Sequence, residues 1–296
     1  TQTVKIAEGG GALSGLHTII ASPDKSLLYV SDHRADNVIA VRISDLSVIS
    51  EVAVGEAPNG LSLTPDGSKL YVANFDSNTV SVIDTATYTV TSTISVDRAP
   101  SDVTVTPDGT KAYVTHFYDA ADDVTRILII DTTTDAVTGE VSLPSSSRSR
   151  EIVFSHDGTK AFVSVERSDG VSIINTVDNI VIKTISGLLF PAHIIMSRDG
   201  KFAYVVAETD RKGGTTIEPK VYAINVATEK LARQMSGFRN PRGIAETTDG
   251  KKFYVTEYNS DEIRIFDLDE DKVVAAISVG DSPRDDGIVA ALTFGF

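Results

Sequence analysis

Hydrophobic and polar residues alternate along most of the chain in short segments that a recurring polar turn separates. A typical segment, 80–84 (VSVID), alternates Val and Ser before it ends on an acidic residue. Alternation with period two, carried by Val, Ile, Thr and Tyr, predicts β-strands. No segment shows the 3.6-residue period of an amphipathic helix. The chain is therefore predicted to be all-β.

The turn between these segments has the form Pro-Asp-Gly, as in 64–67 (TPDG), and Tyr-Val or Phe-Val follows about five residues later. Pro presets φ, Asp bonds the turn backbone and Gly accepts positive φ, so this triplet suits a tight turn. Successive turns are 42, 42, 49, 42 and 50 residues apart, a spacing that predicts an internal repeat. The turn aspartates are Asp24, Asp66, Asp108, Asp157, Asp199 and Asp249.

Each repeat contains four short predicted strands, the arrangement of a β-propeller blade. A single blade cannot bury both of its faces, whereas a ring of blades buries them and protects the strand edges. The rival arrangement, an open β-solenoid, usually has shorter coils. We expect a single propeller domain spanning 1–296.

Three repeats carry a more specific signature after the turn: 71–74 (YVAN), 113–116 (YVTH) and 254–257 (YVTE). These segments resemble the YVTN family of β-propeller repeats, and the resemblance covers nearly the whole chain. That family contains surface-layer and other cell-envelope proteins and is similar to lactonase-type propellers, so the resemblance favours a periplasmic or extracellular location. The Trp-Asp repeat family is disfavoured because the chain has no Trp.

The number of blades depends on the two ends of the chain. Segment 3–7 resembles an outer fourth strand and segment 288–292 an inner first strand, and both would belong to a blade built from the two termini. Following the family resemblance, we expect seven blades, the last built from both termini. A ring of six blades is the alternative.

The composition of the chain argues against several classes of function. The chain of 296 residues has a net charge of −14 and no basic cluster, which argues against a nucleic-acid partner. It has no Cys, which excludes disulfides, zinc–thiolate sites and thiol nucleophiles. Its apolar runs are only a few residues long, against roughly 20 for a membrane span, so we expect no membrane insertion.

One face of the predicted ring differs most between blades. Residues that the fold requires should repeat from blade to blade, and residues that a ligand requires should differ. Four insertions, 9–15, 118–124, 144–150 and 208–220, fall on the face opposite the Pro-Asp-Gly turns. Long loops cost little stability and often carry function, so this face is the predicted functional face.

On the same face, the residues that open the first strands should surround the central channel. Aligned on the turn, these positions hold His17, Asn59, Ser101, Arg150, Ala192, Arg242 and Arg284. The next position holds Thr18, Gly60, Asp102, Glu151, His193 and Gly243. The neighbouring loops contribute His33, His116, Phe117, Tyr118, Glu166, Glu208, Glu257 and Tyr258.

This concentration of His, Glu and Arg predicts a binding site at the channel mouth. We expect His17 or His193 to move protons, with Glu151 orienting the imidazole, and Arg150 and Arg242 to hold a carboxylate or phosphate. The other charged, polar and aromatic residues above are candidate ligand contacts. His17, His193 and a carboxylate such as Glu151 or Asp102 could also form an open divalent-metal site, although no local ligand spacing supports it.

Two functions remain open from the sequence. The first is a small-molecule enzyme, with lyase, isomerase or lactone-hydrolase chemistry, acting on a polar or acidic metabolite. The second is a non-catalytic module of the cell envelope that binds a protein or glycan through Phe75, Phe117, Tyr118 and Tyr258. No nucleophile-elbow, Walker or dinucleotide motif favours another class.

Overall fold

The computed structural model describes residues 15–117, 125–144, 148–166, 170–188, 190–207, 219–257, 260 and 262–278. Their strands form six four-stranded antiparallel sheets, and each sheet consists of four strands consecutive in the chain. We number these sheets blades one to six in chain order. The arrangement confirms the prediction of an all-β propeller with four-stranded blades.

The first three blades lie between Leu16 and Ser142. Blade one consists of β1 (Leu16–Ala21), β2 (Leu27–Asp32), β3 (Asn37–Arg42) and β4 (Val48–Ala53). Blade two consists of β5 (Pro58–Leu63), β6 (Lys69–Asn74), β7 (Thr79–Asp84) and β8 (Thr89–Ser95). Blade three consists of β9 (Pro100–Val105), β10 (Lys111–His116), β11 (Arg126–Asp131) and β12 (Ala136–Ser142).

The remaining three described blades lie between Ser149 and Ser278. Blade four consists of β13 (Ser149–Phe154), β14 (Lys160–Val165), β15 (Gly170–Asn175) and β16 (Ile180–Ser186). Blade five consists of β17 (Pro191–Met196), β18 (Phe202–Ala207), β19 (Lys220–Asn225) and β20 (Lys230–Met235). Blade six consists of β21 (Pro241–Glu246), β22 (Lys252–Glu257), β23 (Glu262–Asp267) and β24 (Lys272–Ser278).

The core lies between blades, because the alternating apolar side chains of each blade pack on the next blade. Hydrophobic clusters join blades one and two, two and three, three and four, four and five, and five and six. Tyr71 and Tyr113, the aromatic residues of the repeat signature, are fully buried in these clusters. The first strand of each blade packs beside the first strand of the next. This series of inner strands lines the central channel.

The predicted Pro-Asp-Gly turns form as expected from local chemistry. In blade two the Thr64 hydroxyl donates to Asp66 Oδ1 at 2.6 Å, the Ser68 backbone N–H donates to the same oxygen at 3.0 Å, and Gly67 has φ 73°. The Thr64 hydrogen bond is the main reason that the pKa of Asp66 falls to about 2. The aspartate is therefore ionised in the turn over the physiological range.

The turns also pack on one another across blades. A Cβ built on Gly109 would lie 2.9 Å from Cδ of Pro65 in the preceding blade, so the glycine leaves room for the neighbouring proline ring. His156 takes the place of proline in blade four and packs in the same way against Gly200. It lies at the opposite end of the blades from the predicted site.

Six blades are complete within the described residues. The segments of the predicted seventh blade, within 1–14 and 279–296, lie outside the described residues. The face of blade one that does not pack on blade two carries Val30, Ile39 and Val41, each less than 5% exposed. No helix among the described residues has the length and hydropathy of a membrane-spanning segment.

Candidate functional site

A cavity of about 630 Å³ occupies the central channel, and all six inner strands contribute to its wall. This volume is in the range of small-molecule sites. Most of its residues fall into three layers along the strands: a polar layer near the strand starts, which we call the rim; a middle layer; and a floor near the Pro-Asp-Gly turns. Between the rim and the middle layer the wall also includes Ile19, Leu61, Ile152, Ile194 and Ile244. The rim residues are His17, Thr18, Asp102, Arg150, Glu151, Ala192, His193 and Arg242.

The rim exists because every blade interrupts its sheet at the same point. In all six blades the register between the first and second strands shifts just after the first strand begins. Such a bulge redirects the side chains beside it. The shift falls where the sequence alignment predicted the channel mouth, and it brings Asp102, Glu151 and His193 of three consecutive blades into one wall.

Glu151 and His193 form a close pair. Glu151 Oε2 lies 3.4 Å from His193 Nε2 and accepts a hydrogen bond from the Ile194 backbone N–H at 3.1 Å. Their side chains are 33% and 19% exposed respectively, and both line the cavity. Burial lowers the pKa of His193 to about 4, so the imidazole is neutral near pH 7 and the contact is not an ion pair at that pH.

Asp102 is a rim acid whose pKa departs far from its ordinary value. Burial, with a further contribution from the charge of Glu151, raises its pKa to about 7. The Thr104 hydroxyl lies 3.2 Å from Asp102 Oδ2, which is one of the two acceptors within reach of its proton. A Cβ on Gly60 would lie 2.6 Å from the Asp102 Cα, so only glycine fits at the equivalent position of blade two. Near neutral pH Asp102 can therefore either hold or release a proton inside the cavity.

Arg150 connects the cavity to an aromatic side chain beside it. Its guanidinium carbon lies 5.6 Å from the centroid of the Phe117 ring, and that of Arg148 lies 4.9 Å from the same ring. Arg150 lines the cavity, whereas Phe117 does not. Stacking of this kind fixes the orientation of a guanidinium and stabilises its charge.

The middle and floor layers were not predicted from the sequence. The middle layer consists of the residues that pair with the central aromatic of each second strand: Ile20, Ser62, Thr104, Val153, Ile195 and Ala245. The floor includes Met196, Arg198 and Glu246. The strand residues of both layers were detectable, because the same blade alignment that gave the rim also gives positions two and three residues later in each strand; Arg198 lies in the turn after β17.

Several predicted ligand contacts lie away from the cavity wall, with other partners. His116 is 5% exposed; its Nδ1 lies 3.3 Å from the Arg126 carbonyl oxygen, and burial lowers its pKa to about 4. Glu257 Oε2 accepts backbone N–H groups of Arg239 and Asn240 at 2.8 and 2.7 Å. These two side chains stabilise the fold between and beside the blades. The blade alignment placed them near the mouth but could not give the depth at which each lies.

Three more predicted contacts among the described residues, His33, Asn59 and Glu166, are also absent from the cavity wall. His33 stacks near His17, with ring centroids 6.1 Å apart. The Asn59 carbonyl oxygen accepts the Ser31 hydroxyl at 2.9 Å, and the Glu166 backbone N–H donates to the Arg148 carbonyl at 2.9 Å. Tyr118, Glu208, Tyr258 and Arg284 lie outside the described residues, as do 9–14, 118–124, 145–147 and 208–218 of the predicted insertions.

The described residues contain no group of three or more His, Asp or Glu side chains arranged to hold a metal ion. His17, His193 and the two carboxylates line one cavity but do not converge in that way. The rim presents the Glu151–His193 pair, Asp102 with a pKa of about 7, His17 and two arginines, and the floor adds Arg198 and Glu246.

Comparison with known proteins gives both sequence and structural matches. The chain matches the family described as "Lactonase, 7-bladed beta-propeller" over residues 1–107 and 97–280. It is 28% identical over 120 residues to "Antigen Lp49" of Leptospira interrogans serogroup Icterohaemorrhagiae serovar copenhageni (strain Fiocruz L1-130), across 40% of this chain and 25% of the antigen. The match thus spans a quarter of that curated relative.

Solved propellers resemble the whole chain in shape. Kuenenia stuttgartiensis hydrazine synthase superposes with a TM-score of 0.81 at 24% identity, over 97% of this chain and 94% of that chain. The β-propeller domain of Myceliophteria thermophila Cps50 (Swd1) gives a TM-score of 0.74 at 14% identity, over 90% and 88% of the two chains. At these identities the likeness shows the fold alone.

Proposed function

Because the chain belongs to the lactonase family of seven-bladed β-propellers, we propose that it binds a small polar or acidic metabolite in its central cavity and hydrolyses a lactone there. The observation that carries this proposal is the Glu151–His193 contact of 3.4 Å in the wall of a cavity that also contains Arg150 and Arg242. Ester hydrolysis needs a group that takes a proton from water and positive charge near the developing oxyanion. The rim offers both.

The reaction follows from these groups. A water molecule attacks the lactone carbonyl carbon and gives its proton to the Glu151–His193 pair, while the carbonyl electron pair moves onto oxygen beside an arginine. The tetrahedral intermediate then collapses, the bond from the carbonyl carbon to the ring oxygen breaks, and the ring oxygen takes the proton back from the pair. The product is an open-chain hydroxy acid, and the catalytic pair returns to its starting state.

The two arginines also favour acidic substrates. A guanidinium can hold a carboxylate or phosphate through two parallel hydrogen bonds, and Phe117 supports one of the two, Arg150. The protein as a whole carries a net charge of −14, so attraction of an anion must come from these local cations and not from the overall field.

The test is ring opening of a panel of γ- and δ-lactones, with and without a carboxylate substituent, followed with a pH indicator. We expect His193→Gln and Glu151→Gln each to lower kcat/KM at least about 100-fold, the usual scale for loss of general acid–base catalysis. His156→Gln is the matched control, since His156 is exposed in a turn at the opposite end of the blades. Wild-type turnover in both rim variants would refute the assigned roles.

A non-catalytic module that binds a protein or glycan is the second candidate. Phe117, partly exposed and stacked under Arg148 and Arg150, is the feature that favours it, because aromatic and Arg residues together are typical anchors of interfaces. Specific binding of a glycan or peptide, without ring opening of any lactone in the panel, would select this candidate over hydrolysis.

A further inference from the structure

We propose that the substrate of the cavity is a lactone with an apolar tail, and that the tail lies along the middle layer of the channel while the ring occupies the rim. This inference rests on the proposed function for the identity of the ring. The tail is inferred separately, from the character of the cavity wall below the rim.

The middle layer is apolar on the side of blades one, four and five. Ile20, Val153 and Ile195 occupy the same register position in their blades, each is half-buried, and each lines the cavity. Their inner portions pack on three different interblade clusters, so the cavity surface they provide is held in place by the core. Well-supported apolar surface facing a cavity favours an apolar ligand group.

The two hydroxyl residues of the middle layer do not make it a polar site. Ser62 Oγ accepts the Val105 backbone N–H at 3.0 Å, and the single hydroxyl proton of Thr104 has two protein acceptors within reach, the Ile152 carbonyl oxygen at 3.1 Å and Asp102 Oδ2 at 3.2 Å. Both hydroxyls therefore already bind protein groups. The sixth member, Ala245, adds only a methyl group.

The dimensions fit a tail of moderate length. The rim and floor are separated by three residues of β17, from His193 to Met196, which corresponds to about 10 Å along an extended strand. A polar ring that filled only the rim would leave the remainder of the 630 Å³ cavity, including its apolar wall, in contact with water. An apolar tail would displace this water and bury the apolar wall, which favours binding.

The floor sets the end of the tail. Glu246 carries a carboxyl group where the equivalent residue of β17 is Met196, and its Oε2 accepts the Arg198 backbone N–H at 2.7 Å. Burial raises the pKa of Glu246 above its ordinary value, as expected for a carboxyl group at the edge of an apolar layer. A tail long enough to reach this layer meets polar groups, so further methylene groups do not increase its affinity.

The experiment uses two matched series of probes: γ-lactones with unbranched alkyl tails of increasing length, and straight-chain carboxylates from acetate to decanoate, which cannot be hydrolysed. Binding of the carboxylates is measured by titration calorimetry, and KM of the lactones by ring opening. We expect affinity to rise about fourfold with each added methylene and then to level off.

The variants replace apolar middle-layer residues by the residue that blade three carries there. Val153→Thr and Ile195→Thr introduce the side chain of Thr104 at its own register position, so the fold already tolerates it. The double variant should weaken the dependence of affinity on chain length and leave the affinity for the shortest probes unchanged. Val137→Thr, at a residue 41% exposed on outer strand β12, is the matched control and should keep the wild-type dependence.

The outcomes separate this inference from the proposed function. Chain-length-dependent binding of carboxylates without turnover of any lactone supports the tail site and rejects the hydrolysis. Turnover with affinity independent of chain length supports the hydrolysis and overturns the tail site. A chain-length dependence that the Val153→Thr/Ile195→Thr variant leaves intact places the tail elsewhere and also overturns the inference.

Discussion

Individual rim residues acquire their properties from their neighbours on other blades. Asp102, Glu151 and His193 occupy one equivalent position in three consecutive blades, and each would be an ordinary exposed side chain in an isolated strand. In the ring, burial and the charge of Glu151 raise the pKa of Asp102 to about 7, while burial lowers that of His193 to about 4. The perturbed proton affinities are thus a product of ring assembly.

Asp102 should make stability depend on pH in a direction opposite to that of most carboxylates. Because its folded pKa is raised, the native state holds a proton that the unfolded chain has lost between about pH 4 and about pH 7. Its contribution to the free energy of unfolding therefore falls as pH rises through this window. Asp102→Asn removes the titration, so the variant should gain stability relative to wild type as pH rises.

The measurement is urea unfolding of wild type and Asp102→Asn at closely spaced pH values from 4 to 8. His116, whose pKa is lowered, acts in the opposite sense in both proteins and cancels in the difference. His193 does not cancel fully, because the charge of Asp102 raises its pKa and the substitution removes that charge. Asp178→Asn, at an exposed hairpin residue, is the control. Unfolding free energies of wild type and Asp102→Asn that stay parallel across the range would contradict the assignment.

At the scale of elements, the hairpin between the third and fourth strands connects successive blades. In blade three its Asp135 adopts φ 51° and accepts the Tyr71 hydroxyl of blade two at 2.5 Å and Lys69 Nζ at 2.9 Å. Asn179 accepts the Tyr113 hydroxyl in the same way one blade later. Asp and Asn tolerate the left-handed backbone conformation at this hairpin position, and the same side chain also links two blades by a hydrogen bond.

Removal of this connection should destabilise the protein. Asp135→Ala leaves the Tyr71 hydroxyl with only the Thr132 carbonyl oxygen, 3.4 Å away, as an acceptor and leaves Lys69 without its carboxylate. We expect a loss of about 1–3 kcal/mol in the free energy of unfolding. Asp135→Asn keeps the backbone preference and one acceptor and should lose less. Asp178→Ala in the corresponding hairpin of blade four is the control. Equal stability of Asp135→Ala and wild type by urea unfolding would count against the connection.

At the scale of the molecule, every described blade shares its core with a neighbour, and this distinguishes the fold from a chain of separate modules. The five interblade clusters each contain residues of two blades, so one blade cannot unfold without exposing the next. The expectation of a single domain over 1–296 follows from this sharing and remains a prediction.

Calorimetry tests that prediction. We expect a single thermal transition whose van't Hoff and calorimetric enthalpies agree, as for a two-state domain. Asp135→Ala in blade three should move the whole transition to lower temperature and leave its shape unchanged. Two resolved transitions, with only one shifted by the substitution, would indicate independent units.

The fold was predictable to a greater extent than the site. The turn, the alternating strands and an aromatic residue after the turn recur in each repeat, so six repeats could be identified from the sequence, whereas the expected count of seven blades depends on terminal segments outside the described residues. The rim positions of His17, Asp102, Arg150, Glu151, His193 and Arg242 could also be aligned. His116 and Glu257 were assigned to the same mouth, but the structure gives them partners away from the cavity, because alignment fixes the level of a residue along the blade and not its distance from the axis.

By itself, the sequence determined whatever depends on residues close along the chain. The Thr64–Asp66–Ser68 hydrogen bonds and the positive φ of Gly67 act within five residues, and they therefore recur wherever those residues recur. Only the tertiary structure decided the contacts between blades. Gly109 lies against Pro65, and Glu151 lies 3.4 Å from His193, which is 42 residues later in the chain. The angle between blades sets such distances, and it results from the packing of whole sheets.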